Sequence, residues 1–525
     1  MKRELIYLFD QAFIITLLFI TGLVFERLVE EISIRWGREV LGSHLKKSAK
    51  GSLSRNTWRL ILAYPTGLAL WALVGYMLLV LGFPFGRITI LLAYILIFSV
   101  LYFFYIDTRK NFTIDSKRMA ELLLPVIIVF FVAFLCCSGI FGISISNDSY
   151  YYYSVYPQTL VLEQGYVHSF DVFLTDVGQT TAVICTLPWF FGFEETFGIQ
   201  IFLGFNLVAI FAVSIYEMGM VKMPGKADIG IGKRKIATAV AVGSSVALVF
   251  SSPFYVMTRW VLANVYFMTY FFIAFVLTIK QSGKEYILGR RDRILTALYV
   301  ATLSMLRMEG GMFAGLLILC ACTLNLKNRI LLKYYAIPVA LMHILYDINT
   351  YLILRVDPLY SFMSRTNMVV MLLYIAVIII YLVFIRGKRL LFIQKHYTAF
   401  LMGGLVGINV LLAIVSPERY LGNLKFFAIN ITHQNGWGVF GVFLPVSLLL
   451  MPVGEDLKKK INFPVLFTMG YVLFTIALCW ARDGTLRDGI GDSGNRVLLQ
   501  IVPFVIYTLV ELLVERTGLQ QEPEK

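Results

Sequence analysis

From Leu122 to Ile143 the chain runs without a single charged side chain, and a second such run extends from Met368 to Ile385. Each is long enough to cross a hydrocarbon core of roughly 30 Å as a helix. Lipid offers the backbone no hydrogen-bonding partner, so a helix, which pairs its own amides, is the natural way across. The composition agrees: 58% of the 525 residues are hydrophobic and 15% are charged, too little charge for an ordinary soluble domain. The expected fold class is therefore all-α, a polytopic transmembrane helical bundle.

Length and apolarity mark roughly 13 to 15 spanning segments. They lie near 5–25, 58–82, 87–106, 122–144, 197–217, 236–256, 259–279, 294–306, 311–325, 330–347, 368–385, 398–416, 437–453, 462–481 and 497–514. Basic residues collect in the short connections between them. Arg27, Arg35, Arg38, Lys46, Lys47, Lys50 and Arg55 form the first cluster. Others centre on Lys110, Lys226, Arg291, Lys327, Lys388 and Lys459. By the positive-inside rule these connections are cytoplasmic. The alternation works if the chain turns back at Arg307–Gly311 and that turn faces outward. The formal charge of +14 is then a topology signal, with no nucleic-acid partner implied.

The start, Met1-Lys2-Arg3, resembles a signal peptide, but Asp10 and Gln11 interrupt the apolar stretch and no small-x-small cleavage site follows. It reads as an uncleaved first helix. Six cysteines lie scattered, mostly inside apolar runs, where Cys acts as a small hydrophobe. No Walker A, HExxH or G-x-S-x-G motif in plausible context is present, which argues against ATP-driven transport and zinc or serine hydrolysis.

The segments left outside are richer in acids, arginines, aromatics and Asn than the basic connections. The largest, residues 145–196, opens on Asn147-Asp148-Ser149-Tyr150-Tyr151-Tyr152-Tyr153 directly after a spanning run. A carboxylate at the boundary of low-dielectric lipid can have its pKa raised and serve as a base. Asp148 could equally cap a helix, and Tyr151 and Tyr152 could belong to an interfacial aromatic belt. The same loop carries His168, Asp171 and Asp176 and should hold helices lying along the surface. Arg307-Met308-Glu309-Gly310-Gly311 offers a guanidinium suited to an anionic group, with Glu309 to orient it. Alternatively the pair holds two short helices together. Asp492-Ser493-Gly494-Asn495-Arg496 precedes the last span, where a helix N-terminus favours an anion. Arg419, in Ser416–Tyr420, is a weaker candidate on the same face.

This arrangement resembles the GT-C class of membrane glycosyltransferases over roughly residues 122–510. Asn147–Tyr153 with Pro157 and Gly165 looks like the opening of that class's first large outer loop. Leu187-Pro188 through Gly192 looks like its end, Arg307–Gly310 like an Arg-x-Glu-Gly element, and Asp492–Arg496 like a late-loop element. Residues 1–121 would be an added N-terminal transmembrane extension, with 122–525 the core. The resemblance implies a plasma-membrane enzyme, bacterial by preference, with its active face outward. Its donor would be a polyprenyl-phosphate-linked sugar and its acceptor a glycan, lipid or protein hydroxyl. It implies inverting transfer with Asp148 as catalytic base and Arg307, Asn495 and Arg496 on the donor phosphate. Glu309, Asp492, Asp176, Tyr151, Tyr152, His168 and Arg419 would support them. No cofactor is required; Asp148 stands alone where the class often pairs acids, so a divalent cation remains an open addition. A lipid-linked glycan flippase or exporter, and a polysaccharide polymerase or ligase, are the alternatives.

Overall fold

The computed structural model describes residues 2–37, 55–103, 116–136, 150–165, 179–193, 197–222, 231–282, 290–307, 309–324, 326–348, 365–384, 392, 395–432, 446, 463–481, 486–487 and 493–519. These form helices α1 (Lys2–Gly37), α2 (Arg55–Val80), α3 (Arg87–Phe103) and α4 (Ser116–Cys136). A π-helical turn, Tyr151–Val155, runs into α5 (Tyr156–Leu162). Then come α6 (Gln179–Cys185), α7 (Leu187–Phe191), α8 (Phe197–Lys222), α9 (Ile231–Val249), α10 (Ser252–Arg259), α11 (Asn264–Ser282), α12 (Arg290–Leu306) and α13 (Gly310–Ala321). Next are α14 (Asn328–Asp347), α15 (Arg365–Phe384), α16 (Tyr397–Val415), α17 (Pro417–Thr432), α18 (Phe463–Ala481), α19 (Ser493–Leu499) and α20 (Val502–Leu519). The described residues contain no β-strand, and the all-α expectation holds.

Eight helices among the described residues are long and apolar enough to cross a membrane. A ninth crossing appears if α9 and α10, bent by 63° at their junction, count as one. Three shorter apolar helices accompany them: α3, α13 and the Met368–Phe384 part of α15. The chain is a multi-pass membrane protein. Of the expected segments, 437–453 falls outside the described residues except Val446. Two helix breaks have a local cause. Pro253 stands at the start of α10 and Pro503 at the start of α20, and a ring without an amide hydrogen cannot continue the preceding ladder.

The centre of the bundle is α2, α8, α11 and the last span, each mostly enclosed, whereas only 11% of the α16 window is buried. On α1 the side chains Phe9, Phe13, Ile20 and Val24 point outward, as a lipid-facing stripe requires. Its other face meets α2 backbone to backbone. A Cβ on Gly22 would stand 1.8 Å from the Ala63 carbonyl oxygen, and one on Gly67 would stand 1.9 Å from that of Leu18. Small residues are what let helices in lipid approach this closely. Elsewhere rings fill the core. Phe271 packs edge-on to Phe467 and Phe504, and Phe313 stacks on Tyr471 at 4.7 Å.

Because α11 and α12 run in opposite directions, the bundle has two polar ends. At one, Glu26 of α1 pairs with Arg291 of α12, and Glu30 with Arg59 of α2. Lys280, near the end of α11, reaches Glu217 of α8 at 2.9 Å and lies 3.5 Å over the Trp58 ring. Trp58 Nε1 donates to the same carboxylate at 2.8 Å. Lys222 bridges to Glu511 and Glu515 of α20. A cavity of about 270 Å³ opens among Ser214, Glu217, Lys222, Lys280, Tyr507 and Glu511. Several members of the basic clusters are thus helix residues rather than loop residues: Arg27 and Arg35 lie within α1, Arg55 opens α2, and Arg291 sits in the first turn of α12, 3% exposed.

Candidate functional site

The opposite end is organised by the break between α12 and α13. Helix α12 stops at Leu306, whose carbonyl oxygen accepts the Thr181 hydroxyl of α6 at 2.8 Å. The chain then turns through Arg307 and Glu309 and restarts at Gly310. Two glycines make so tight a reversal feasible. A Cβ on Gly310 would lie 2.5 Å from the Leu303 carbonyl oxygen, and one on Gly311 would lie 1.8 Å from Nε2 of the buried His343. The sequence element Arg307–Gly311 is therefore a turn by construction, with its charged pair set between two helix ends.

Arg307 makes two directed contacts. Its Nε donates to Glu309 Oε1 at 2.8 Å, and its Nη1 to Asn264 Oδ1 at 2.9 Å. Asn264 opens α11 and is fully buried. The same amide oxygen accepts Gln500 Nε2 at 2.9 Å. Gln500 lies at the break between α19 and α20, one turn beyond Arg496. One oxygen of Asn264 thus ties the Arg307 turn to the segment that carries Asn495 and Arg496.

A second strand of contacts closes the group. The Arg496 guanidinium lies 5.5 Å over the Trp260 ring, an arrangement in which the ring face attracts the cation. Trp260 is fixed from behind: Gln200 Nε2 of α8 donates to the carbonyls of Thr258 at 2.9 Å and Trp260 at 2.5 Å. Arg259, its neighbour, is buried and lies 4.4 Å over the Tyr255 ring. Tyr153 packs with Cys185, Val261, Leu262 and Ala263, with Tyr152 and Trp260 at the edge. Burial pushes the Tyr153 phenol well above its ordinary range, while Arg307 and Arg496 both pull it back, which puts both cations within electrostatic reach of one hydroxyl. Burial works against the charge of Arg307, but Glu309, with Tyr153 and Tyr471, more than offsets it, so the guanidinium is held protonated.

Among the expected site residues, Arg307, Glu309, Arg496 and Tyr152 belong to this group, and Asn495 is fully buried on the same α19 turn. Tyr151 is exposed beside them on the π-helical turn. Arg419 sits apart on α17, 5.2 Å from the Trp480 ring of α18. Asp148, His168, Asp171, Asp176 and Asp492 lie outside the described residues. Among the described residues no group of three His, Cys, Asp or Glu side chains could hold a metal ion.

Sequence reasoning missed Asn264, Gln500, Trp260 and Gln200. All four lie in or at the edge of apolar runs. A lone amide in such a run is costly unless it finds a partner across the bundle, and that cost is the signal that could have singled out Asn264 and Gln200. Chemically, two guanidiniums with aromatic faces between them suit an anionic, partly apolar ligand: the forks can donate to phosphate oxygens and the rings can pack on what the phosphate carries. No protein-family model, curated protein or solved structure matches this chain, so the functional reading stands on this geometry and on the residues themselves.

Proposed function

We propose that the protein is an inverting glycosyltransferase that moves a sugar from a polyprenyl-phosphate carrier to an acceptor hydroxyl. The observation that carries this reading is the meeting of Arg307 and Arg496, far apart in sequence, around Asn264, Trp260 and Tyr153. In the proposed reaction Asp148 takes the proton of the acceptor hydroxyl. The acceptor oxygen forms its bond to the anomeric carbon as the carbon–phosphate oxygen bond breaks. Polyprenyl phosphate departs with the bonding electrons, and the stereochemistry inverts. Negative charge grows on the departing phosphate, where preorganised cations are worth most. Arg307 and Arg496 supply them, held in place before the reaction by Asn264 and Trp260. Tyr151 and Tyr152 offer ring faces to the sugar. The basic connections lie at the other end of the same helices, so the positive-inside rule turns this site outward.

The test is direct. Purified protein in lipid nanodiscs is incubated with a panel of polyprenyl-phosphate sugars and simple acceptors, and product is followed by mass spectrometry. Asp148→Asn should lower transfer about 10²–10⁴-fold, the usual weight of a general base, at unchanged expression. Full activity in that variant removes Asp148 from the base role; no transfer from any donor removes the enzymatic reading.

One observation favours a second reading, a lipid-linked glycan exporter. Glu217, Lys280 and Glu511 lie inside spanning helices, and ionisable groups at such depth often line transport routes. Movement of a labelled lipid-linked glycan across a vesicle bilayer, without any new glycosidic bond, would favour it.

A further inference from the structure

Away from this site, the charges near the end of α1 fall on two faces, with Glu31 one turn beyond Arg27 on the outer one. Glu26 and Glu30, one turn apart, point into the bundle and pair with Arg291 and Arg59. Arg27, rotated about 100° from Glu26 around the helix, points the other way and is exposed. It makes no hydrogen bond or ion pair among the described residues, and its nearby charge repels the like charge of Arg59. A cation on the lipid-facing side of a spanning helix is costly unless an anion meets it.

The surroundings say where that anion arrives from. Arg27 lines a lateral groove of about 800 Å³ between α1 and α3, together with Val24, Leu28, Ile95, Phe98 and Tyr102. Val24 and Ile95 are exposed along this surface. The groove is shallow and open along its side, as a seat for a lipid lying against the bundle requires. Groove and cation together are complementary to an amphiphile with a long apolar tail and an anionic head. The planar Arg fork matches two oxygens of a phosphodiester. Ser99 lies on the wall one turn from Phe103 and adds a hydroxyl.

We propose that the groove between α1 and α3 seats one anionic phospholipid, its phosphodiester on the Arg27 guanidinium and an acyl chain along Ile95 and Phe98. The seat is independent of the transferase reading. In it α1 and α3 together hold a lipid of the leaflet next to the ion-paired end, which by the positive-inside rule is the cytoplasmic one.

The full-length protein in detergent is titrated with phosphatidylglycerol or phosphatidylcholine. Retained lipid is read by native mass spectrometry and protection by thermal unfolding. Wild type should retain and be protected by phosphatidylglycerol over phosphatidylcholine. Arg27→Gln should weaken phosphatidylglycerol binding roughly tenfold, although it removes only one of 46 basic side chains. Ser99→Trp leaves every charge in place and fills the groove, so it too should weaken binding, which diffuse attraction to a basic protein would not predict. The proposal is overturned if the two lipids bind equally, or if phosphatidylglycerol binding survives in both variants.

Discussion

The two ends of the bundle use charge differently. At the ion-paired end, acids and bases meet one another: Glu26 with Arg291, Glu30 with Arg59, Glu217 with Lys280 and Lys222 with Glu511. Each pair joins two different helices, so the charges fix helix positions. At the other end, Arg307 meets the Glu309 carboxylate two residues on and the Asn264 amide, and Arg496 lies over the Trp260 ring. The Arg307–Glu309 pair is local to one turn of chain, and its side chains keep 14% and 11% exposure against 3% and 0% for Arg291 and Glu26. On the proposed function, the difference separates a part that specifies assembly from a part that specifies binding.

That contrast can be broken by mutation. Arg291→Met leaves Glu26 buried without its cation and should cost about 3–5 kcal/mol of stability, read as a lower unfolding midpoint in detergent. The double replacement with Glu26→Leu should recover most of it, and transfer per folded molecule should be unchanged in both. Arg307→Lys keeps a charge beside Glu309 but loses the second arm to Asn264. It should leave the unfolding midpoint near wild type and reduce transfer about 10²-fold. If Arg307→Lys unfolds the protein while Arg291→Met abolishes transfer at full stability, the two ends have been assigned the wrong way round. Asn264→Ala is the smallest expected effect, about tenfold in transfer from losing one hydrogen bond to a charged group. Its pattern sharpens the comparison: Asn264 acts through Arg307, so combining it with Arg307→Lys should add less than the two losses separately.

Spans were legible wherever one long apolar run makes one straight helix. The expected 197–217 and 462–481 correspond to Phe197–Lys222 and Phe463–Ala481. The break at Arg307 was legible too, because charge and paired glycines coincide there. The stretch 251–259 was legible as a segment outside the spans, but not as the short helix α10 bent 63° from α9, since hydropathy carries no record of the missing amide at Pro253. The site itself was half legible. Arg307, Glu309 and Arg496 announce themselves as charges at the ends of apolar runs. Asn264, the residue that unites them, is a single neutral amide whose two partners come from the turn after α12 and the last span, and no local spacing encodes such a meeting. Glu217 and Lys280 were invisible for the same reason: each looks like an isolated blemish in a greasy helix until the other is placed against it.

The glycines where α1 crosses α2 make that contact vulnerable in one direction only. At Gly22 and Gly67 there is no side chain to trim, so every substitution there is an insertion, and the atom it adds lands on a neighbouring carbonyl oxygen. The two backbones could make room only by moving apart, and α1, which also walls the crevice beside α3, would move with them. A single methyl at Gly22 would therefore be felt on the opposite flank of that helix, as a looser berth for whatever rests there.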